Sequence, residues 1–455
     1  MIEARDEETI IAQCTPSGSG AIALLRISGN QAIPITQQLG VLVNKKELCK
    51  QPTHTIHYGY IIGQNKKIID HVLFLLMRAP QTFTGQDTVE ITCHNNPFII
   101  DSIIQLAIKN GARIAERGEF TKRAFLNKKI DLAQAESINE LIHAHTEQAL
   151  QKSMAQLEGS LSHWFKKLED QLLQAHGLCE ASFEFLEEDI SFDINIQNLI
   201  KNTIDEILEI EKQYNQQQQI KDGFRVTLIG TVNAGKSSLF NKLVKAERAI
   251  VTEIAGTTRD VIEAGIYRDH SYITFVDTAG LRETNEQIEQ EGIKRSFNEA
   301  EKADIILLLS DSSQLLSTHE SHIYQKLSDK YKEKIIHISS KIDLKKEFNL
   351  RNNTIKVSTL TEEGIAQLEF TIKSKIAKQL DNLTSPYLLN TRQIHLLQHL
   401  KNDLQITLTM TEKPLEHELI SIHLKDALQN LTELTGKTLS ESSINKVFEQ
   451  FCIGK

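Results

Sequence analysis

Residues 230–237 read Gly230-Thr231-Val232-Asn233-Ala234-Gly235-Lys236-Ser237, between an apolar run at 224–229 and a helical pattern beginning at Ser238. A G-x-x-x-x-G-K-S turn points backbone N–H groups inward, and the following helix N-terminus adds partial positive charge, so together they cradle the α- and β-phosphates of a nucleotide. Lys236 is expected to reach the β- and γ-phosphates, and Ser237 to hold Mg²⁺. Downstream, Gly256-Thr257-Thr258-Arg259-Asp260 supplies a hydroxyl for the metal, and Asp277-Thr278-Ala279-Gly280 follows the apolar run 272–276. Asp277 is placed to order a water on Mg²⁺, and the Gly280 N–H to face the γ-phosphate. The order and spacing of these elements match a guanine-nucleotide switch.

A base-reading element follows at Ser339-Ser340-Lys341-Ile342-Asp343-Leu344, where most such proteins carry N-K-x-D. The Asp343 carboxylate can accept both the ring N–H and the exocyclic amine of guanine, a donor pair that adenine lacks. Ser340 replaces the usual Asn and forgoes the amide that ties this loop to the phosphate loop and to the base. At Ser358-Thr359-Leu360, S-A-K or S-A-R would be usual. Leu281 stands where the simplest switch proteins place a water-orienting glutamine, so another group must position the attacking water.

Strands and helices must hold these groups. Strand-like runs at 225–229, 272–276, 305–309, 335–338 and 354–357 alternate with helical patterns and predict a doubly wound, mostly parallel sheet. The first part of the chain, with β-rich runs at 21–27, 72–76 and 89–92, reads as a mixed α/β domain. All seven prolines lie at or before Pro97 or at and after Pro386, which marks the middle as distinct. From Leu132 the apolar spacing is helical, through Ile138, Leu141, Leu157, Leu161, Trp164, Phe165, Leu168 and Leu172, and it returns at Ile394, Leu397, Leu400 and Leu404. The polar run 214–219, with four consecutive glutamines, reads as a boundary. Helices on both sides of an α/β unit predict an inserted domain. The expected division is 1–120, an α/β domain; 121–220 and 379–455, two parts of a helical domain; and 221–378, the inserted nucleotide-binding domain.

The chain has 455 residues, 40% of them hydrophobic and 24% charged, and a formal net charge of −9. That charge argues against strong sequence-independent nucleic-acid binding. For Arg113, Arg117, Lys122, Arg123, Lys128 and Lys129, two readings stand: a local basic patch, or a solvated charged face interleaved with Glu116 and Glu119. The longest apolar runs are too short to span a bilayer, and the acidic N-terminus has no signal-like apolar core, so a cytoplasmic protein is expected. Five scattered cysteines without a C-x-x-C pair predict free thiols.

The residues resemble the tRNA-modification GTPase family MnmE, also called TrmE. The likeness covers essentially the whole chain. It is carried by Leu25-Arg26-Ile27-Ser28-Gly29, Thr82-Phe83-Thr84-Gly85-Gln86-Asp87, the run from Gly118 to Asn127, Asp131-Leu132-Ala133-Gln134-Ala135-Glu136, the switch motifs and the terminal Phe451-Cys452-Ile453-Gly454-Lys455. The resemblance implies a homodimer with an N-terminal folate-binding domain, a helical domain and an inserted GTPase domain. With an FAD-dependent partner, MnmG (GidA), the family adds an aminomethyl or carboxymethylaminomethyl group to carbon 5 of the wobble uridine in certain tRNAs.

Carried over position by position, the nucleotide would lie on Asn233 to Ser238, on Thr252, Glu253, Ile254, Ala255, Gly256, Thr257 and Thr258, on Asp277 to Gly280, and on Lys341, Asp343 and Ser358. Thr258 would join Ser237 on Mg²⁺. Asn233, Thr252, Ile254 and Thr257 would hold K⁺ in place of an arginine finger, and Glu289 would position water. Arg26, Glu90, Lys129 and Lys455 correspond to a 5-formyl-tetrahydrofolate site. Relatives have a P-G-R-G-G turn where this chain has residues 16–20, and H-G-G where it has His94-Asn95-Asn96; asparagine tolerates the left-handed backbone a glycine would supply there. Cys452 is the family's candidate for a role in modification, against the plain reading of a small buried hydrophobe. The competing class is a ribosome-assembly or RNA-binding switch without modification chemistry, whose relatives append an RNA-binding module after the GTPase domain.

Overall fold

The computed structural model describes residues 4–63, 65–182, 191–245, 262–268, 271–278, 296–344, 354–380, 385–411 and 417–454. The chain divides into two compact units. One comprises 1–142, 154–208 and 391–455; the other comprises 143–153 and 209–390.

The first unit opens with a seven-stranded sheet: β1 (Ile10–Gln13), β2 (Ile22–Ser28), β3 (Gly40–Leu42), β4 (Thr55–Ile62), β5 (Ile68–Met77), β6 (Thr88–His94) and β7 (Arg113–Ile114), in the order β3-β4-β5-β6-β2-β1-β7. Neighbours are antiparallel except β1 and β7, which run parallel. Period-two alternation turns Val72, Phe74 and Leu76 of β5 inward. Helices Ala32–Leu39 and Pro97–Lys109 cover that face with Ile33, Ile35, Leu39, Ile100 and Ile103.

The same unit contains the helical part. Along Ser160–Ser182, the residues Leu161, Trp164, Phe165, Leu168, Leu172, Ala175 and Cys179 recur at helical spacing and are buried. Helices Thr391–Met410 and His417–Thr435 complete this layer with Ile394, Leu397, Leu400, Leu404, Leu424 and Leu431. A buried carboxylate joins stretches far apart in sequence: Glu136 accepts from Arg392 at 2.7 and 2.8 Å and from Gln393 at 2.6 Å.

The second unit holds a six-stranded sheet of β8 (Phe224–Gly230), β9 (Ile262–Arg268), β10 (Ser271–Asp277), β11 (Ile305–Asp311), β12 (Ile335–Ser340) and β13 (Ile355–Lys356). Its order is β13-β12-β11-β8-β10-β9. All pairs are parallel but β9–β10. The expected mostly parallel sheet is therefore present, with the antiparallel edge β9 added. Near-continuous apolar runs, as in fully buried β11, suit strands covered on both faces.

The glutamine run does not break the chain, because it continues the helix Ser191–Asp222. Gln217 is buried there; its amide donates to Ser385 Oγ at 3.0 Å and its carbonyl accepts from Leu389 N at 2.8 Å. Gly223 then stops the helix with φ of +79°, where a Cβ would lie 2.1 Å from Tyr272 O. Among the described residues, no helix is long and apolar enough to cross a membrane.

Candidate functional site

The phosphate loop springs from the carboxyl end of β8, the central strand flanked by β11 and β10, where the crevice of an open α/β sheet takes ligands. Gly230 is required by packing, since a Cβ there would lie 2.6 Å from Leu309 O. The Tyr324 hydroxyl accepts from Thr231 N at 3.0 Å and donates to Leu309 O, which pins the loop's start to β11. Asn233 and Gly235 adopt φ of +62° and +87°, and helix Lys236–Lys245 begins directly after them. This is the nest-like geometry that directs successive N–H groups at an anion.

Lys236 is 7% exposed, and its ammonium donates to Gly230 O at 2.7 Å and Thr231 O at 2.6 Å. Burial pushes it down to about 8, against the opposing pull of the Asp277 charge. Between pH 8 and its ordinary 10.5, the native state therefore binds fewer protons than the unfolded chain. Stability without ligand accordingly rises with pH across that window. A bound polyphosphate favours the charged form. Nucleotide binding at pH 8.5 is expected to take up roughly three-quarters of a proton, measured as the dependence of calorimetric enthalpy on buffer ionisation heat. Identical enthalpies in buffers of different ionisation heat would contradict it.

Asp277 ends β10 and is buried, while the Thr278 hydroxyl donates to Leu228 O at 2.8 Å. Ser237 and Ser238 are exposed at the first turn of the loop's helix. Ala279, Gly280, Leu281, Glu289, Lys455 and the stretch 252–258, including Thr252, Glu253, Ile254, Ala255, Gly256, Thr257 and Thr258, lie outside the described residues.

The base-reading side is organised by buried hydroxyls. Ser358 is fully buried and donates to Asp343 Oδ1 at 2.6 Å, while its oxygen accepts from Leu360 N at 3.3 Å and Thr361 N at 3.1 Å. The Asp343 carboxylate is thereby oriented, whereas Leu360 projects outward, 81% exposed. Lys341, at φ of +60°, pairs with Asp311 Oδ2 at 2.7 Å. Burial of Asp311 opposes its ionisation, but the Lys341 and Ser313 hydrogen bonds prevail and hold it below the ordinary carboxylate range. Asp311 was not among the expected residues; its place at the carboxyl end of the strand-like run 305–309 is the signal that could have found it. Ser340 changes the expectation most. Its hydroxyl donates to Ala234 O of the phosphate loop at 2.6 Å, so the tie between the loops exists without an asparagine amide.

In the first unit, β2 and β6 place Arg26 directly opposite Glu90. Two guanidinium nitrogens approach Glu90 Oε1 at 2.8 Å, with side-chain exposures of 19% and 15%. The Arg26 guanidinium lies 5.3 Å from the Phe120 ring centre and 5.9 Å from that of Phe83. Arg26 thus sits inside the sheet rather than at an edge. Lys129 is exposed and donates to Pro80 O at 3.0 Å. Neither Asn95 nor Asn96 uses a left-handed backbone: Asn96, at φ of −120°, caps helix Pro97–Lys109, and the Asn95 amide donates to Gly18 O at 2.8 Å.

The basic run divides: Arg117, Lys128 and Lys129 are exposed, as a solvated face would have them, whereas Arg113, Lys122 and Arg123 turn to carboxylates within the fold. Arg113 chelates Glu119 at 2.6 and 2.8 Å, Lys122 pairs with Asp6 at 2.8 Å, and Arg123, 1% exposed, donates to Glu119 and Gln86. Cys452 is exposed rather than buried, and its carbonyl accepts from Gly118 N at 3.3 Å. Buried Phe448 and Phe451 anchor the tail, and Gly454, at φ of +91°, lets it pass where a Cβ would lie 2.4 Å from Gln13 O.

Comparison with known proteins matches residues 9–129 to the family model "GTP-binding protein TrmE N-terminus" and residues 132–452 to "MnmE helical domain". The tRNA modification GTPase MnmE of Bacillus pumilus (strain SAFR-032) is 36% identical over 461 residues, spanning 98% of this chain and 100% of that protein. That of Bacillus subtilis (strain 168) is 37% identical over 460 residues, with the same coverage of 98% and 100%. Among solved structures, Era from Aquifex aeolicus bound to GDP.AlF4- gives a TM-score of 0.27 at 24% identity, over 33% of this chain and 56% of that one.

Proposed function

The chain belongs to the MnmE family of tRNA modification GTPases, and from that premise we propose that it is a potassium-activated GTPase acting on the wobble uridine of certain tRNAs. It works as a cytoplasmic homodimer with an FAD-dependent MnmG partner, and adds an aminomethyl or carboxymethylaminomethyl group at carbon 5. Residues 1–120 form the folate-binding domain, whose site Lys129 and Lys455 join from the helical parts; 221–378 form the GTPase, and 121–220 with 379–455 the helical domain. The observation that carries the nucleotide half is the loop 230–236, whose Lys236 ammonium rests on the loop's own carbonyls.

On GTP binding, Lys236 exchanges the Gly230 and Thr231 carbonyls for β- and γ-phosphate oxygens, and the loop N–H groups and helix N-terminus take the remaining charge. Asp343, held by Ser358, accepts from the base. The exposed Ser237 hydroxyl is a hard oxygen donor of the kind Mg²⁺ takes, and with Thr258 it would hold the ion, with the buried Asp277 carboxylate ordering a water on it; bound there, the ion would neutralise phosphate charge. Asn233, exposed on the crest of the loop, offers an amide oxygen that suits K⁺, with Thr252, Ile254 and Thr257 as the further ligands. Glu289 positions the attacking water, the task that Leu281 cannot perform. The Arg26–Glu90 pair, with the Phe83 and Phe120 rings near its guanidinium, suits a planar, amide-edged folate ring, and Lys129 and Lys455 suit its carboxylates. Cys452, exposed on the anchored tail, offers a thiol to modification chemistry.

Two measurements test this reading. GTP turnover is expected to be at least tenfold faster in KCl than in NaCl of equal ionic strength, an advantage that Asn233→Ala removes. Nucleoside mass spectrometry of tRNA from a deletion strain is expected to show the wobble modification restored by this chain. Equal turnover in both salts, or unmodified uridine after complementation, would overturn it.

A further inference from the structure

Ser340 closes β12 and is 4% exposed, with its hydroxyl 2.6 Å from Ala234 O and 3.2 Å from Ser310 O. A serine hydroxyl carries one proton. Here both neighbours are main-chain carbonyls, so the proton is committed to them and only lone pairs remain. Guanine N7 is itself an acceptor, and lone pairs offer it nothing. The other cation of the segment does not replace that donor, because the Lys341 ammonium is held 2.7 Å from Asp311.

Chemistry places N7 on this side of the base. The phosphates lie on the loop 230–237, and the ribose joining them to the base is attached to the five-membered ring. Asp343 pairs with the N1–H and exocyclic amine on the six-membered ring. The five-membered half, N7 included, therefore lies between Asp343 and the phosphate loop, where Ser340 touches Ala234. We propose that Ser340 splits two tasks: it positions the phosphate loop against β12, and it leaves N7 unread. The pocket then selects nucleotides by the N1/N2 edge alone and accepts a carbon at position 7. The proposal rests on the guanine-nucleotide reading above. Space beside Ser340 exists for a larger donor, since a Cβ on Gly235 would meet only Ser340, at 3.9 Å.

The test compares GDP, 7-deaza-GDP and ADP by calorimetric titration of the full chain. The wild type is expected to bind 7-deaza-GDP within about twofold of GDP, and both more tightly than ADP. Ser340→Asn is expected to favour GDP over 7-deaza-GDP by about 2- to 12-fold, the range of one added hydrogen bond. Ser340→Ala is expected to weaken GDP and 7-deaza-GDP alike. A wild-type preference for GDP over 7-deaza-GDP above fivefold overturns the proposal. So does a Ser340→Asn protein that cannot tell the two apart. Loss of the guanine reading shows differently, as equal binding of GDP and ADP or of neither. Should Ser340→Asn fail to fold, the wild-type ratio decides alone.

Discussion

Lys236→Ala is expected to lower the GTP turnover number by about 100- to 1000-fold, the cost of removing one preorganised charge donor from a phosphate-type transition state. The side chain is buried, and burial has pushed the pKa of its ammonium down to about 8, so binding a polyphosphate both satisfies the ammonium and restores its ordinary protonation. Charge growing between the β- and γ-phosphates then meets a donor already in place. Lys236→Arg is not expected to rescue turnover, because a planar guanidinium cannot reproduce a compact point charge in a site already filled by loop carbonyls. The measurement is phosphate release under saturating GTP, with a melting curve to show that the variant is folded. A folded Lys236→Ala protein within threefold of wild-type turnover would remove Lys236 from the catalytic machinery.

The largest effect on stability is expected at Glu119. Its carboxylate is 3% exposed and receives Arg113 at 2.6 and 2.8 Å, Arg123 at 2.8 and 3.3 Å, and the Glu116 N–H at 2.8 Å. Arg123 is nearly inaccessible to water, so Glu119→Ala leaves a buried cation without its counter-charge. Breaking a buried pair from one side costs about 3–5 kcal/mol. Burial alone would raise the Glu119 carboxyl, but the Arg113, Glu116 and Arg123 interactions outweigh it and hold the group below 4.5. With the folded value depressed, the contribution is complete above pH 4.5 and fades as pH falls through the folded value. Urea unfolding of the full chain, followed on the N-terminal sheet by hydrogen exchange, is expected to show that sheet opening at markedly lower denaturant in Glu119→Ala. Glu119→Ala combined with Arg123→Met should recover part of the loss. Unchanged protection in the single variant would show that the network contributes little.

Local patterns carried much of the architecture. The run 305–309 has no residue that favours a helix start or stop, and it became the core strand β11; the glycine-rich turn after 224–229 became the phosphate loop because it needs only its own φ angles and a strand to spring from. Strands β1, β3, β4, β7 and β9 carry no such pattern: β1, β3 and β7 are too short to show alternation, β4 mixes tyrosine, histidine and glycine with its apolar residues, and β9 lies at the sheet edge, where alternation is weaker. The glutamine run lies on the last turns of a helix that ends just before β8, but composition could not show that it is packed, with Gln217 finding partners more than a hundred and sixty positions away.

The sequence by itself determined the nucleotide loop, the order of α/β and helical segments and the family, because each depends on residues adjacent in the chain or on a motif series of fixed order. Only the tertiary structure decided what the charged and hydroxyl groups do. Arg113 and Arg123 neutralise a carboxylate within the fold, Arg26 faces Glu90 across a strand pair 64 positions apart, and Ser340 holds Ala234 across 106 positions. The reason is physical: a charge or hydroxyl acquires its role from the partner that burial forces upon it, and sequence distance does not limit which partner that is.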